Sequence, residues 1–152
     1  MPLTIVLDTS PLGTVTKRRG VAEADACRQW VADCHRAGHT ILAPAIAYYE
    51  VARELERAGN TTGLMRLDAF CSVPGCYLPL TDSALRLAVK LWAKARNAGT
   101  PTADPKELDG DVLICAQALD LGLPTPDIIV ATMNPGHLSQ FIPVDHWNNI
   151  TP

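Results

Sequence analysis

The run Leu3-Thr4-Ile5-Val6-Leu7, broken at Asp8-Thr9-Ser10-Pro11, constrains the fold more than any other stretch. Four of its five residues are bulky and apolar, with no in-out alternation along the run. That pattern belongs to a strand covered on both faces, which in turn implies a parallel sheet between layers of helix. The rest of the chain keeps the rhythm. Val21 to Ala37 reads as a helix with Ala24, Cys27, Val31 and Cys34 on one stripe and Gly38 as its stop. Thr40 to Ala43 is a second strand, and Pro44 suits the first turn of a helix running to about Ala58. Thr62 to Phe70 is helical, and Cys76 to Leu80 is a third strand. Thr81-Asp82 can cap a helix carrying Leu85, Ala88, Val89 and Trp92 toward Gly99.

Gly99 to Leu108, with Pro101 and Pro105, reads as a loop. The next helix is expected to open within Leu108-Asp109-Gly110-Asp111 and to end at Gly122 and Pro124. Ile128 to Ala131 is a fourth strand, His137 to Phe141 a helical turn, and Ile142 to Val144 a last short strand. The expectation is one α/β domain over residues 1–152: a three-layer α/β/α sandwich around a mainly parallel four- to five-stranded sheet.

Composition narrows the function. A formal charge of −3 gives no global basic signature of a nucleic-acid binder, although an enzyme that cuts nucleic acid can be basic only locally. No apolar run approaches the roughly 18 residues of a membrane span, and the first residues lack the basic start of a secretory signal. A cytoplasmic location is expected. The five cysteines show no C-x-x-C spacing and read as small apolar fillers, and the four histidines are scattered, so zinc and thiol chemistry are disfavoured. G-x-G-x-x-G, the P-loop and the G-x-S-x-G elbow are all absent.

What remains is carboxylates near strand ends, where parallel sheets carry their chemistry. Asp8 stands there on the first strand, equally readable as a helix cap. In "LDGDVLICAQA" the two acids separate. At 100° per residue, Ile114, Cys115, Ala118 and Gly122 fall within about 60° of Asp111, so Asp111 leans toward the packed face. Asp109 falls about 160° away and reads as a cap. Glu50 and Glu54 both flank the apolar stripe of their helix, and the helical wheel does not choose between them. Converging ionised acids need a cation, and hard oxygen ligands select Mg²⁺ or Mn²⁺.

In order, "LDTS" (Leu7 to Ser10), "AYYEVARELER" (Ala47 to Arg57), "DVLICAQALDLGL" (Asp111 to Leu123) and "IIVATMNPGHLSQF" (Ile128 to Phe141) resemble the PIN-domain family. The nearest group in character is the VapC-type toxins of bacterial toxin–antitoxin pairs. The resemblance covers nearly the whole chain and implies a metal-dependent endoribonuclease with a PIN-like fold. It maps the family's acids onto Asp8, Glu50 and Asp111, which favours Glu50 over Glu54, and its T-x-N motif onto Thr132 and Asn134. His137 stands where many members carry a fourth acid; Asp109 is the candidate to supply that charge.

The expected chemistry is hydrolysis of RNA phosphodiesters. Asp8, Glu50 and Asp111, with Asp109 in reserve, are the candidate ligands for Mg²⁺ or Mn²⁺. Thr9, Ser10, Thr132 and Asn134 are expected to orient the acids or the phosphate, and Lys17, Arg18 and Arg19 to meet flanking phosphates unless they form a plain solvated surface. The resemblance also implies a small antitoxin partner and a homodimer. The rival readings are a PIN-like module that binds RNA or protein without cutting, and a metal-dependent phosphatase-like enzyme.

Overall fold

The computed structural model describes residues 2–98, 105–136 and 138–152. Its strands are β1 (Thr4–Leu7), β2 (Thr40–Pro44), β3 (Tyr77–Leu78), β4 (Ile128–Thr132) and β5 (Val144–His146). They form one sheet in the order β3-β2-β1-β4-β5, and every pairing is parallel. The first strand is central and covered on both faces, as its composition requires: Ile5, Val6 and Leu7 are fully buried. The chain moves outward from β1 through β2 to β3, then returns to the other side of β1 as β4 and β5. The order therefore reverses between β1 and β4, the place where open parallel sheets bind ligands beyond their carboxyl ends.

The helices are α1 (Thr9–Val15), α2 (Ala22–Arg36), α3 (Ala45–Arg57), α4 (Thr61–Cys71), α5 (Asp82–Asn97) and α6 (Pro105–Leu119). Helices α1 to α4 pack as one group and α5 packs on α6, the division between the two faces that the right-handed crossover rule gives for this strand order. The core joins both layers through the sheet, and a smaller apolar cluster of Ala88, Ala95, Leu108, Val112 and Ala116 locks α5 to α6. Gln117, buried inside α6, is held at both ends of its amide: its Nε2 donates to the Leu78 carbonyl (3.0 Å) and its Oε1 accepts from Ile46 N (3.3 Å). That one side chain ties α6 to the end of β3 and the start of α3. The expected α2 stripe is present, since Ala24, Cys27, Val31 and Cys34 are all buried. The cysteines are free, and burial pushes the Cys27 thiol up to about 12 and the Cys34 thiol up to about 11.

Three local expectations need correction. Helix α1 begins directly after Asp8, where a turn was expected, because a proline at the third helical position lacks only an N–H that the first turn would leave free. Helix α6 begins at Pro105, inside the expected loop, so Asp109-Gly110-Asp111 lies within the helix and does not open it. Asp109 is therefore no cap. The last strand is Val144–His146, displaced toward the C-terminus from the expected Ile142 to Val144. Among the described residues, no helix is long and apolar enough to cross a membrane.

Candidate active site

Asp8 follows the carboxyl end of β1 and caps α1. Its backbone N–H donates to the Ala131 carbonyl (2.9 Å), which sets the ends of β1 and β4 side by side. Its carboxylate accepts from Thr9 N on Oδ1 (2.8 Å) and from Thr132 Oγ1 on Oδ2 (2.7 Å). Thr132 is fully buried, and its hydroxyl also accepts from Asn134 N (3.1 Å). The T-x-N motif thus works at two levels. The threonine fixes the acid from beneath, and the asparagine lies at the pocket wall.

Glu50 enters from α3. Its Oε1 accepts from Thr9 Oγ1 (2.8 Å), so a single threonine ties the first acid to the second: its amide to Asp8, its hydroxyl to Glu50. Arg53, one helical turn on, lies 3.6 Å from Glu50 Oε2. Across the site, α6 offers Gly110 to this carboxylate: a Cβ built there would lie 2.9 Å from Glu50 Oε2 and 3.1 Å from Oε1. A glycine inside a helix costs about 1 kcal/mol relative to alanine. Here it makes room for an acid. Glu54 instead pairs with Arg57 on the helix surface, 61 % exposed, which separates the two glutamates that the wheel left tied.

Asp8, Glu50 and Asp111 line one cavity of about 290 Å³, together with Thr9, Ser10, Asn134 and Leu138. Three elements deliver the three acids: the end of β1, the first half of α3 and the first half of α6. Of the other expected residues, Thr132 lies under the floor. Asp109 does not line this cavity; it is exposed and lines two neighbouring ones, one of which shares Glu50. His137 falls outside the described residues. Lys17 lines a groove of about 560 Å³ that continues from Thr9, Ser10 and Glu50. Arg18 and Arg19 are exposed beyond it, on a loop whose carbonyls are held by Arg28. Sequence reasoning missed Gly110, Leu138 and the groove arginines Arg57 and Arg66. The available signal for Gly110 was a glycine between two acids in a strongly helical context.

The electrostatics fit a cation. Burial raises the Asp8 carboxyl above its ordinary value of 3.8, against the lowering effect of the hydrogen bonds from Thr132 and Thr9. The donors are hard oxygens, suited to Mg²⁺ or Mn²⁺. Among the described residues, no three carboxylate, imidazole or thiol side chains are gathered tightly enough to ligate one ion directly. Mg²⁺ commonly takes one or two carboxylates and keeps several waters, so the donor set still fits it.

Two predictions arise here. A carboxyl whose folded pKa lies above its unfolded value stabilises the fold below the unfolded pKa, and that contribution is lost as pH rises through the folded one. Asp8→Asn should therefore raise the Tm of the metal-free protein at pH 7 and lose that advantage near pH 3, as followed by circular dichroism. Thr132→Val removes the hydroxyl that lowers the Asp8 pKa and leaves Asn134 N without its acceptor. It should cost about 1–3 kcal/mol of stability. It should also move the acid limb of the pH–activity profile to higher pH, measured as initial rate against pH.

Comparison with solved structures gives matches over nearly the whole length. The structure of VapBC2 from Rickettsia felis bound to a DNA fragment from its promoter contains a chain that superposes with a TM-score of 0.68 at 13% identity, covering 95% of this chain and 99% of that one. A chain of FitAcB from Neisseria gonorrhoeae matches with a TM-score of 0.65 at 17% identity, over 97% of this chain and 100% of that one. One from VapBC-1 of nontypeable Haemophilus influenzae matches with a TM-score of 0.65 at 16% identity, over 96% and 99%. The PIN-like α/β fold expected from the motifs is the fold observed. No protein-family model and no curated protein sequence matches the chain.

Proposed function

We propose that the protein is a divalent-metal-dependent endoribonuclease that hydrolyses RNA phosphodiester bonds, acting as the toxin of a toxin–antitoxin pair. The observation that carries this reading is the convergence of Asp8, Glu50 and Asp111 in one cavity at the sheet's switch point. The fold shared with chains of VapBC and FitAcB structures supports it.

Asp8, Glu50 and Asp111 would hold the ion, directly or through water. A bound Mg²⁺ or Mn²⁺ supplies Lewis acidity toward a phosphoryl oxygen and lowers the pKa of water. The chain's own groups do the positioning. Thr9 fixes Asp8 and Glu50 relative to each other, and the Thr132 hydroxyl favours the charged form of Asp8 against the opposing effect of burial. Ser10 and Asn134, on the cavity wall, donate to the phosphate oxygens. Lys17, Arg57 and Arg66 along the adjoining groove meet the flanking backbone, with a salt dependence that follows the phosphates contacted.

A small antitoxin and a homodimer belong to the same reading, as does a cytoplasmic setting. Helix α5 offers a surface for a protein partner: Leu85, Val89 and Trp92, spaced i, i+4, i+7, are 47 %, 65 % and 40 % exposed. A second reading, a PIN-like module that binds RNA or protein without cutting, draws on the absence of a gathered three-ligand group among the described residues. Calorimetric titration with Mn²⁺ separates the two. The nuclease reading expects a binding isotherm that Asp111→Asn weakens at least tenfold. Negligible binding by the unmodified protein favours the module.

A further inference from the structure

Asp109 was singled out by the sequence and is not used by the acid cavity. It is exposed on α6 and, among the described residues, makes no hydrogen bond or ion pair. It lines a second cavity of about 300 Å³ that shares Glu50 with the first and is bounded by Ile46, Tyr49, Arg53 and Leu113. Tyr49 is 58 % exposed, and the Arg53 guanidinium lies over its ring, 5.1 Å from the centroid. An exposed aromatic ring, a stacked guanidinium and an unpaired carboxylate therefore stand together, one side chain away from the acids.

We infer that this cavity is a base-binding subsite that selects guanine beside the bond to be cut; the inference rests on the ribonuclease reading above. Splayed bases of single-stranded RNA are held by stacking on aromatic rings or guanidinium planes and are identified by their Watson–Crick edges. Tyr49 and Arg53 supply the stacking surface, and Ile46 with Leu113 the apolar wall. Asp109 supplies the edge recognition. A carboxylate only accepts hydrogen bonds, through two oxygens. Guanine alone of the four bases presents two adjacent donors, N1–H and the N2 amino group, on that edge. Adenine and cytosine place an acceptor beside their amino group, and uracil flanks its N3–H with two carbonyls, so each meets the carboxylate with a repulsive partner. Arg53 also offsets the charge that two acids present to an anionic chain.

The test uses the full-length protein with metal chelated, so that RNA stays intact. Fluorescein-labelled hexaribonucleotides differing at one position (guanosine, inosine, adenosine, cytidine or uridine) are titrated by fluorescence anisotropy. Guanosine should bind about tenfold more tightly than inosine, which lacks the N2 amino group and so one charge-assisted hydrogen bond. Asp109→Asn should erase that difference. Tyr49→Ala should weaken all five about tenfold through lost stacking. Equal binding of the five, or a guanosine preference that survives Asp109→Asn, overturns the subsite. So does binding of an arginine-containing peptide that depends on Asp109 with no oligonucleotide binding. Cleavage in Mn²⁺ with no base preference would sink the subsite and leave the nuclease standing; a guanosine preference without cleavage would do the reverse.

Discussion

Asp8→Ala is expected to lower the rate of RNA cleavage by more than about a hundredfold while leaving the protein folded. Losing a group that merely orients a metal ligand typically costs about 10–100-fold, so losing a ligand itself sets that as a lower bound. The variant also removes the shared anchor of two hydrogen bonds: Thr9 N and Thr132 Oγ1 lose their acceptor, and Thr9 loses its hold on the relation between Asp8 and Glu50. Two opposed effects keep the fold intact. The helix cap of α1 is lost, at a cost of about 0.5–2 kcal/mol, but a carboxylate whose burial disfavours its charge is removed with it. Single-turnover cleavage beside a thermal melt checks both halves. Asp111→Ala should match it in rate, since α6 brings that acid to the same cavity from the opposite layer.

Gly110→Ala should separate activity from stability in opposite directions. Alanine in place of an interior helical glycine adds about 0.5–1 kcal/mol of stability. The new methyl group would stand 2.9 Å from Glu50 Oε2, closer than such contacts are tolerated. Glu50 is the end of a flexible side chain, so it swings aside at little energetic cost and the helix stays. The swing breaks the 2.8 Å hydrogen bond from Thr9 Oγ1 and carries the second acid away from the first. Cleavage should fall about 10–100-fold, as for other groups that orient a metal ligand, with Tm unchanged or higher. A fall in Tm with unaltered cleavage would mean that Gly110 serves packing and not the acid.

The elements legible in the sequence were those whose burial leaves a compositional mark. β1 reads as an apolar run because both its faces are covered, and α2 announces itself by the stripe Ala24, Cys27, Val31, Cys34. The inward lean of Asp111 followed from the small and apolar residues after it, and the structure puts it in the acid cavity. What escaped depended on partners far away in the chain. Pro11 looks like a turn until Asp8 is known to cap the helix that contains it. Gly110 looks like a helix start until Glu50, sixty positions earlier, is placed against it. Glu50 and Glu54 are nearly equivalent on a wheel; only the neighbouring α1 and α6 distinguish them, one acid held by Thr9 and the other left on the surface with Arg57. Asp109 was expected to cap a helix that in fact begins at Pro105, and its exposed position on α6 follows from that earlier start.

On this reading the RNA-cutting activity resides in the acid cavity and needs a divalent cation. The most direct measurement follows one defined, structured RNA incubated with purified protein in chelator, and again after Mn²⁺ is restored. The RNA should stay intact in chelator and show discrete internal cuts once Mn²⁺ returns. Cuts that persist in chelator, or an RNA that stays whole in both, would contradict it.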